Sequence, residues 1–461
     1  MKYKIFTALT VLCLVFSSCE QKLDELNIDP NSLTEVPLAL QLPEAIVQAV
    51  FNAGSNPNRI AGIVMQQLRG IDAQQADYTR YVIGEDAVNN FWNTGLYAGV
   101  LRSCDVIITQ ATVEEAPFYS GAAKILMANQ LGIATSMFGD LPYNEAFQGA
   151  DNLMPGYDSQ EAIYDIVQNL LDEGMEEIAT DGGGANAGYL GGDLLYDGAS
   201  ESWVAMARAL KARYLMHTLN RNPGNAAAAL TQLEDAFEED GQPLFTFGTS
   251  VTQNWSLAKF GLDRPSTLAF HEQFAAMLSD DPRLPVYAEF DGTFWQYFGN
   301  PAFVWAKNDA TVPLISYVEV KFLEAEATAR TGGDDVADVL AEGIQASFNL
   351  VGMVDTVDYI TNASNLDGLD DESTIERIMT ESYKAYYGFN FHETWTNYRR
   401  TGYPVIMEPS EDLTSGANPS GVLPERFLYP ESESQTNSTN VEAAKSRQGG
   451  ALLDATLWAF E

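Results

Sequence analysis

The chain has 461 residues, 46% of them hydrophobic and 11% aromatic, which is enough apolar material to bury a large core. Its 25 Lys and Arg residues stand against 64 Asp and Glu residues, so the formal net charge is -39. That charge argues against nucleic acid as a partner and against docking on an anionic lipid surface by charge, because both need basic protein surfaces.

The N-terminus has the order of residues that directs export. Lys2 and Lys4 precede an apolar run over 5–16, and two serines then lead to Cys19. The run is too short to span a bilayer, which takes about 20 apolar residues. Residues 1–18 resemble a bacterial lipoprotein signal, in which Cys19 becomes the acylated first residue of the mature chain; an ordinary secretory peptide is the alternative. Cys104 is then left without an intramolecular partner, so the fold is expected to rely on its core and not on disulfides.

From residue 45 onward, apolar residues recur at spacings of three and four, which predicts a mostly α fold. One helix is predicted over 122–138, where Gly139 and Pro142 end it. A second is predicted over 158–178 with Asp158 or Ser159 as its cap, and a third over 200–220 after a glycine-rich connection at 180–193.

Two further helix pairs are predicted over 317–352 and 373–402. Their period of about 34 residues is typical of tetratricopeptide-like repeats, although the pairs are not consecutive and so do not form a simple solenoid. Between them and the earlier helices, 241–313 is rich in Pro, Gly and aromatic residues and predicts irregular loops and short strands, where ligand sites usually lie. The tail over 408–450 is polar and rich in turn residues.

No motif in the sequence predicts a catalytic, metal or cofactor site. His217, His271 and His392 are far apart, and none has a second histidine at the i, i+4 spacing of a helix-borne zinc site. There is no G-x-S-x-G nucleophile motif, and the glycine-rich connection does not match a phosphate-binding loop. Arg399 and Arg400 are interpreted as structural, pairing with carboxylates or helix C-termini.

Aromatic residues give the clearest indication of a ligand. A neutral sugar presents an apolar face, which stacks on Trp or Tyr, and a rim of hydroxyls, which bind polar side chains. The stretch 291–305 places Trp295, Tyr297 and Trp305 in a segment interrupted by Gly and Pro. These side chains are either a ligand platform or a hydrophobic plug under the loop, because large aromatic residues also dominate cores.

Other candidates for ligand contacts lie elsewhere in the chain. Trp255 and Trp92 are the next aromatic candidates, with core packing the favoured role for Trp92. Asp72 and Gln75 lie near Trp92 in sequence and are candidates for contacts to the sugar rim, with a solvated loop as the alternative.

Seven motifs in order resemble the SusD-like (RagB-related) outer-membrane lipoproteins of Bacteroidota. They are "LNIDPN" at 26–31, "FGDLPYNEAF" at 138–147, "GGDLLYDGASESWVAMARALKARYLMH" at 191–217, "DPRLPVY" at 281–287, "YVEVKFLEAEA" at 317–327, "HETWTNYRRTGYP" at 392–404 and "ERFLYPESESQTN" at 425–437. The resemblance implies a mostly helical protein with tetratricopeptide-like helix pairs and an irregular ligand-facing region. It also implies a place on the outer membrane, as a lid over a SusC-like TonB-dependent transporter.

The sequence therefore predicts a signal over 1–18 and one SusD-like domain over 19–461, with a tether and entry at 19–30 and an irregular insert at 241–313. The predicted function is non-catalytic capture of a nutrient, most readily an oligosaccharide, and its delivery to the transporter. The alternatives are a peptide ligand, or a lipid-anchored scaffold of the transporter complex without a ligand of its own. No cofactor is expected.

Overall fold

The computed structural model describes residues 36–180, 190–297, 303–354, 356–407 and 413–461. The signal, Cys19, the tether over 19–30 and "LNIDPN" lie outside the described residues, as does most of the glycine-rich connection.

Helices dominate the fold, as the apolar spacing predicts. In chain order the α-helices are α1 (Leu38–Ala53), α2 (Asn56–Val64), α3 (Ala73–Thr79), α4 (Arg102–Val113), α5 (Pro117–Phe138), α6 (Gln160–Ala179), α7 (Ser200–His217), α8 (Asn225–Leu233), α9 (Ser256–Asp263), α10 (Glu272–Met277), α11 (Leu284–Tyr287), α12 (Tyr317–Thr331), α13 (Val336–Leu350), α14 (Val357–Ala363), α15 (Asp371–Ala385), α16 (Phe391–Thr401), α17 (Glu431–Thr436) and α18 (Ser438–Arg447). A π-helical segment, Phe91–Leu101, precedes α4, and short 3-10 turns lie at Glu85–Val88, Gly149–Asp151, Glu239–Gly241, Val251–Gln253 and Trp458–Phe460.

Four short strands form two antiparallel pairs. They are β1 (Leu68–Gly70), β2 (Leu244–Thr246), β3 (Leu268–Phe270) and β4 (Thr311–Pro313). In the β1–β3 pair Leu68 lies opposite Phe270, and in the β2–β4 pair Leu244 lies opposite Pro313. Three of these strands and the short helices α9, α10 and α11 fall within 241–313, the stretch predicted to hold irregular loops and short strands.

Capping residues define the ends of several long helices. The Ser159 hydroxyl accepts a hydrogen bond from the Ala162 amide at the start of α6, and Ser316 caps α12 in the same way. Helix α5 ends at Gly139, whose φ of +85° suits glycine. α5 packs on α6, and α12 packs on α13 as the predicted helix pair.

The buried core extends through the described chain from Leu38 to Phe460. It contains charged side chains as well. Arg213 of α7 binds Glu319 of α12, and Arg400 of α16 binds Glu326 of α12, with each of these four side chains at most 2% exposed. These pairs tie three helices from different parts of the sequence together.

The structural role predicted for the two adjacent arginines is confirmed. Arg400 Nη2 donates to Glu326 Oε2 at 2.6 Å, and Arg399 Nη1 donates to the carbonyl oxygen of Ser136, in the last turn of α5, at 2.6 Å. One arginine thus binds a carboxylate and the other the C-terminal end of a helix.

The tail differs from its prediction, because α17 and α18 lie in a stretch interpreted as turns. Within α17 no residue is buried, and α18 buries only Val441, Ala444 and Lys445. Helices with so little apolar surface against the core leave no clear apolar period in the sequence.

Candidate functional site

A groove lies along strand β1, with a volume of about 500 Å³ and an adjoining space of about 300 Å³. The two spaces share Gln66, Gln273 and Met407, so they form one continuous depression, here called the β1 groove. Its walls come from segments far apart in the sequence: residues 63–81, the start of α10, the hairpin tip at Phe294, and the chain around Met407.

The β1–β3 pair builds the first wall of the groove. The backbone amide of Gly70 donates to Thr79 Oγ1 at 2.8 Å, which holds the end of α3 against β1. A side chain is excluded at Gly70, because a Cβ there would lie 1.7 Å from the carbonyl oxygen of Gln75. Arg69 and Arg80 flank this joint and both line the groove.

A β-hairpin over 289–296 places an aromatic ring at the groove. Its turn is held by Asp291, whose Oδ1 accepts from the amides of Thr293 at 2.7 Å and Phe294 at 2.8 Å. The amide of Phe270 in β3 donates to the Trp295 carbonyl at 2.9 Å, which joins the hairpin to the sheet. Phe294 lines the groove and is 42% exposed, so its ring is available to a ligand.

Polar groups line the same groove as this ring. Arg69 Nη1 binds Glu272 Oε1 at 2.7 Å, and Gln66 Nε2 donates to the Met407 carbonyl at 2.7 Å. His271 Nδ1 accepts from the Gln273 amide, and burial holds the pKa of His271 well below its ordinary value. His271 is therefore neutral near pH 7, and the charged groups of the groove are Arg69, Arg80 and Glu272.

The predicted aromatic residues of 291–305 occupy three different environments. Trp295 is half-buried in the hairpin, with its ring 5.4 Å from that of Phe290. Tyr297 is buried, and its hydroxyl donates to the carbonyl oxygen of Leu257 at 3.0 Å. Trp305 is fully buried, with its ring 4.5 Å from that of Phe389, which is the geometry of the plug alternative.

Trp92 and Trp255 also lie in the core. Trp92 is 1% exposed and its ring lies 5.0 Å from that of Tyr97, while Trp255 is fully buried beside Phe247 at 5.2 Å. Neither ring presents a free face to the groove. Their role in ligand binding stays a prediction, and the groove does not depend on it.

Asp72 and Gln75 lie within residues 63–81, which form one wall of the β1 groove, but neither side chain lines the groove. Asp72 is exposed at the start of α3. Gln75 is buried, and its Oε1 accepts from Arg59 Nε at 3.4 Å. The lining residues of this segment are their neighbours, among them Arg69 and Arg80.

A larger cavity of about 1150 Å³ lies between residues 279–285, α14 and α15. Its inner wall is a buried network in which Arg283 binds Asp281 at 2.7 Å and Glu381 at 2.8 Å, and Tyr359 donates to Asp281 at 2.6 Å. These groups satisfy one another, and Tyr359 is the one aromatic residue in the lining. The β1 groove is the better sugar site, because it combines an exposed ring with polar groups whose remaining hydrogen-bond capacity faces solvent.

The structure brings together one cluster that resembles catalytic machinery. The Tyr164 hydroxyl lies 3.1 Å from His217 Nδ1, and His217 Nε2 lies 2.8 Å from Glu393 Oε2. All three side chains are buried at 3% exposure or less, so no substrate reaches them. Among the described residues, no three His, Cys, Asp or Glu side chains are grouped to hold a metal ion.

Comparison with known proteins identifies the family. A family model described as "starch-binding associating with outer membrane", SusD-like_2, matches residues 30–430. The chain belongs to the SusD-like family. Its resemblance to that family, drawn from seven motifs, is thereby confirmed.

Solved structures share this fold at low sequence identity. A chitin-binding protein is 24% identical with a TM-score of 0.77, over 92% of this chain and all 100% of its own. A SusD homologue from Bacteroides uniformis is 20% identical with a TM-score of 0.78, over 92% and 100%. A SusD/RagB family protein from Bacteroides thetaiotaomicron is 22% identical with a TM-score of 0.72, over 92% and 99%. None of the curated proteins matches.

Sequence reasoning about this SusD-like chain missed most of the groove. Gln66, Arg69, Arg80, Glu272 and Met407 carry no motif of their own. Phe294 lies in the aromatic segment 291–305, and the sequence does not distinguish it from the other aromatic residues there. No helix within the described residues has the length and apolarity to cross a membrane.

Proposed function

We propose that this SusD-like protein captures an oligosaccharide in the β1 groove, without chemical change, and passes it to a SusC-like TonB-dependent transporter of the outer membrane. The observation that carries the proposal is that the exposed ring of Phe294 lines one groove together with Arg69, Gln66 and Gln273. A ring beneath the apolar face of a sugar and polar groups at its rim are the two contacts that a saccharide needs.

The relatives support a saccharide as the ligand class. The family description names starch, and one structural neighbour is named for chitin binding, so both refer to polysaccharides. At 24% identity, similarity to this neighbour is evidence for the fold alone. The ligand of this chain is therefore inferred from the residues of its own groove.

Attachment to the membrane is proposed through acylation of Cys19, with the domain on the outer face. A Cys19→Ser variant should leave the membrane fraction or remain unprocessed. Normal labelling of that variant with a radioactive fatty acid would remove the anchor from the proposal.

The binding site is tested by titration calorimetry. The ligand is the best binder from a panel of glycans and peptides, and the comparison is between Phe294→Ala and Phe290→Ala. Phe290 is a matched control, because it is 52% exposed in the same hairpin but does not line the groove. Loss of one stacked ring, worth about 1 kcal/mol, should weaken binding about 5-fold in Phe294→Ala and leave the control unchanged.

Three outcomes would redirect the proposal. Equal affinity of the two variants would place the site elsewhere. Binding of peptides and not glycans would favour the peptide alternative, while no binding at all, together with tight association with the transporter, would favour a scaffold.

A further inference from the structure

The β1 groove differs in charge from the rest of this acidic molecule. Four cavities in the described part of the chain can be compared. Acidic residues outnumber basic ones by five to two in the 1150 Å³ cavity and by four to one in a cavity of about 640 Å³ beside Trp458. The 500 Å³ part of the β1 groove reverses the order, with two arginines and one glutamate, and the adjoining part has no charged lining.

This reversal is unexpected in a chain with 64 acidic and 25 basic residues. A ligand with negative charge is repelled by most of such a surface, and a site for it needs local positive groups. A neutral sugar can accept hydrogen bonds from arginine, but it gains no ionic attraction from the positive charge. The groove therefore lacks the acidic excess of the other cavities, and its two arginines are the groups that an anionic ligand would bind.

The two arginines keep free capacity for a ligand. Arg69 is 43% exposed and Arg80 is 57% exposed, and each binds one carboxylate of the protein: Glu272 at 2.7 Å for Arg69, and Asp77 for Arg80. A guanidinium has five N–H donors in a fork that fits a carboxylate or sulfate in two-point contact. Exposed ion pairs of this kind are weak, so exchange for a ligand group costs little.

A backbone contact holds together the two segments that carry the arginines. The bond from the Gly70 amide to Thr79 Oγ1 joins their sequence neighbours, so the segments that carry Arg69 and Arg80 stay together on one wall. Phe294 lines the same groove. A sugar in contact with Phe294 would therefore share the groove with two guanidinium groups.

We propose that the β1 groove selects anionic oligosaccharides, in which carboxylate or sulfate groups on the sugar bind Arg69 and Arg80. This inference rests on the proposed function, since it names the ligand class of the same groove. Binding of the anionic group to the arginines favours anionic over neutral oligosaccharides. The ring of Phe294 contacts the apolar face of the sugar, which both kinds of ligand have.

Calorimetry with matched pairs of ligands tests the inference. One pair is an oligogalacturonide of six units and its methyl ester, which have the same sugar chain but differ in that the ester replaces each charged carboxylate by a neutral methyl ester group. The other pair is a carrageenan oligosaccharide and its desulfated form. At least one anionic member should bind at least 10-fold more tightly than its neutral match, and the pair that shows the difference identifies the anionic group.

Variants show whether the arginines are responsible. Arg80→Gln should weaken binding of the anionic member about 5-fold and change binding of the neutral member less than 2-fold. Arg69→Gln should weaken binding of the anionic member more than binding of the neutral member, whose rim Arg69 also contacts. Arg102→Gln is the control, because Arg102 is 52% exposed in an i,i+3 pair with Asp105, like Arg80 with Asp77, but lies outside the groove. Arg102→Gln should leave both affinities unchanged.

The outcomes separate this inference from the proposed function. Neutral members that bind as tightly as anionic ones, or anionic binding that both arginine variants leave intact, would overturn the inference and leave oligosaccharide capture standing. Absence of binding to every glycan in a wider panel would overturn both. Acidic peptides that bind more tightly than any glycan would also overturn the inference.

Discussion

The buried ion pair between Arg400 and Glu326 should stabilise the fold far more than an exposed pair on the same carboxylate. Both side chains are 1% exposed, and the Arg400 guanidinium spans the two oxygens of Glu326. Burial alone would raise the pKa of Glu326, but Arg400 outweighs it and holds the pKa below its ordinary value. Arg400→Leu therefore removes the buried partner of Glu326 and leaves its carboxylate in the core with only the more exposed Arg330, which costs about 3–5 kcal/mol.

Arg330 supplies the matched control. It also binds Glu326 Oε1, at 2.7 Å, but its side chain is 30% exposed. Arg330→Leu should cost at most about 1 kcal/mol, because solvent screens this pair and Arg400 still binds the buried glutamate that remains. A Glu326→Leu/Arg400→Leu double variant should be more stable than Arg400→Leu alone, since it removes the buried carboxylate that has lost its buried partner.

Urea unfolding followed by far-UV circular dichroism and by tryptophan fluorescence measures these differences. Coincidence of the two signals checks that the transition is cooperative. An equal decrease in the free energy of unfolding for Arg330→Leu and Arg400→Leu would refute the reasoning. Burial of the arginine would then not determine the cost of removing it. A double variant less stable than Arg400→Leu would refute it as well.

Three further predictions concern buried side chains. Burial lowers the pKa of His392 to about 4, so between pH 6.5 and 4 the imidazole binds a proton in the unfolded chain but not in the folded one. As the pH is lowered through this range, the free energy of unfolding should decrease by up to about 1.4 kcal/mol per pH unit for this group. The dependence on pH should be shallower for His392→Asn. Cys104 is fully buried and its thiol pKa is raised by burial, so in protein lacking residues 1–19 it should react with a thiol reagent only after denaturation; fast labelling of the native protein would contradict the packing. Trp305→Ala should cost about 3–5 kcal/mol, because the ring is fully buried against Phe389, and a loss under 1 kcal/mol in urea unfolding would argue against the plug.

The helical part of the fold could be predicted because its signals are local. Apolar spacing and stop residues such as Gly139 lie within each helix, and the predicted segments match α5, α6, α7 and the two later helix pairs. The role of Arg399 and Arg400 followed from residue chemistry in an acid-rich chain.

The groove could not be predicted in the same way, because contacts between distant segments build it. Strands β1 and β3 have three residues each and pair across about 200 positions, which leaves no periodic pattern. Phe294 and Trp305 share one aromatic segment, yet Phe294 is 42% exposed at a hairpin tip while Trp305 is fully buried. Residue type does not separate these two cases, because both rings are equally suited to a core and to a ligand.

The central claim is that the β1 groove holds the oligosaccharide. A crystal structure of the protein with the best-binding glycan of the panel tests it most directly. We expect a sugar ring on Phe294, with its rim in contact with Gln66, Gln273 or Arg69. Electron density for the glycan in the 1150 Å³ cavity beside Tyr359, with the β1 groove unoccupied, would contradict it.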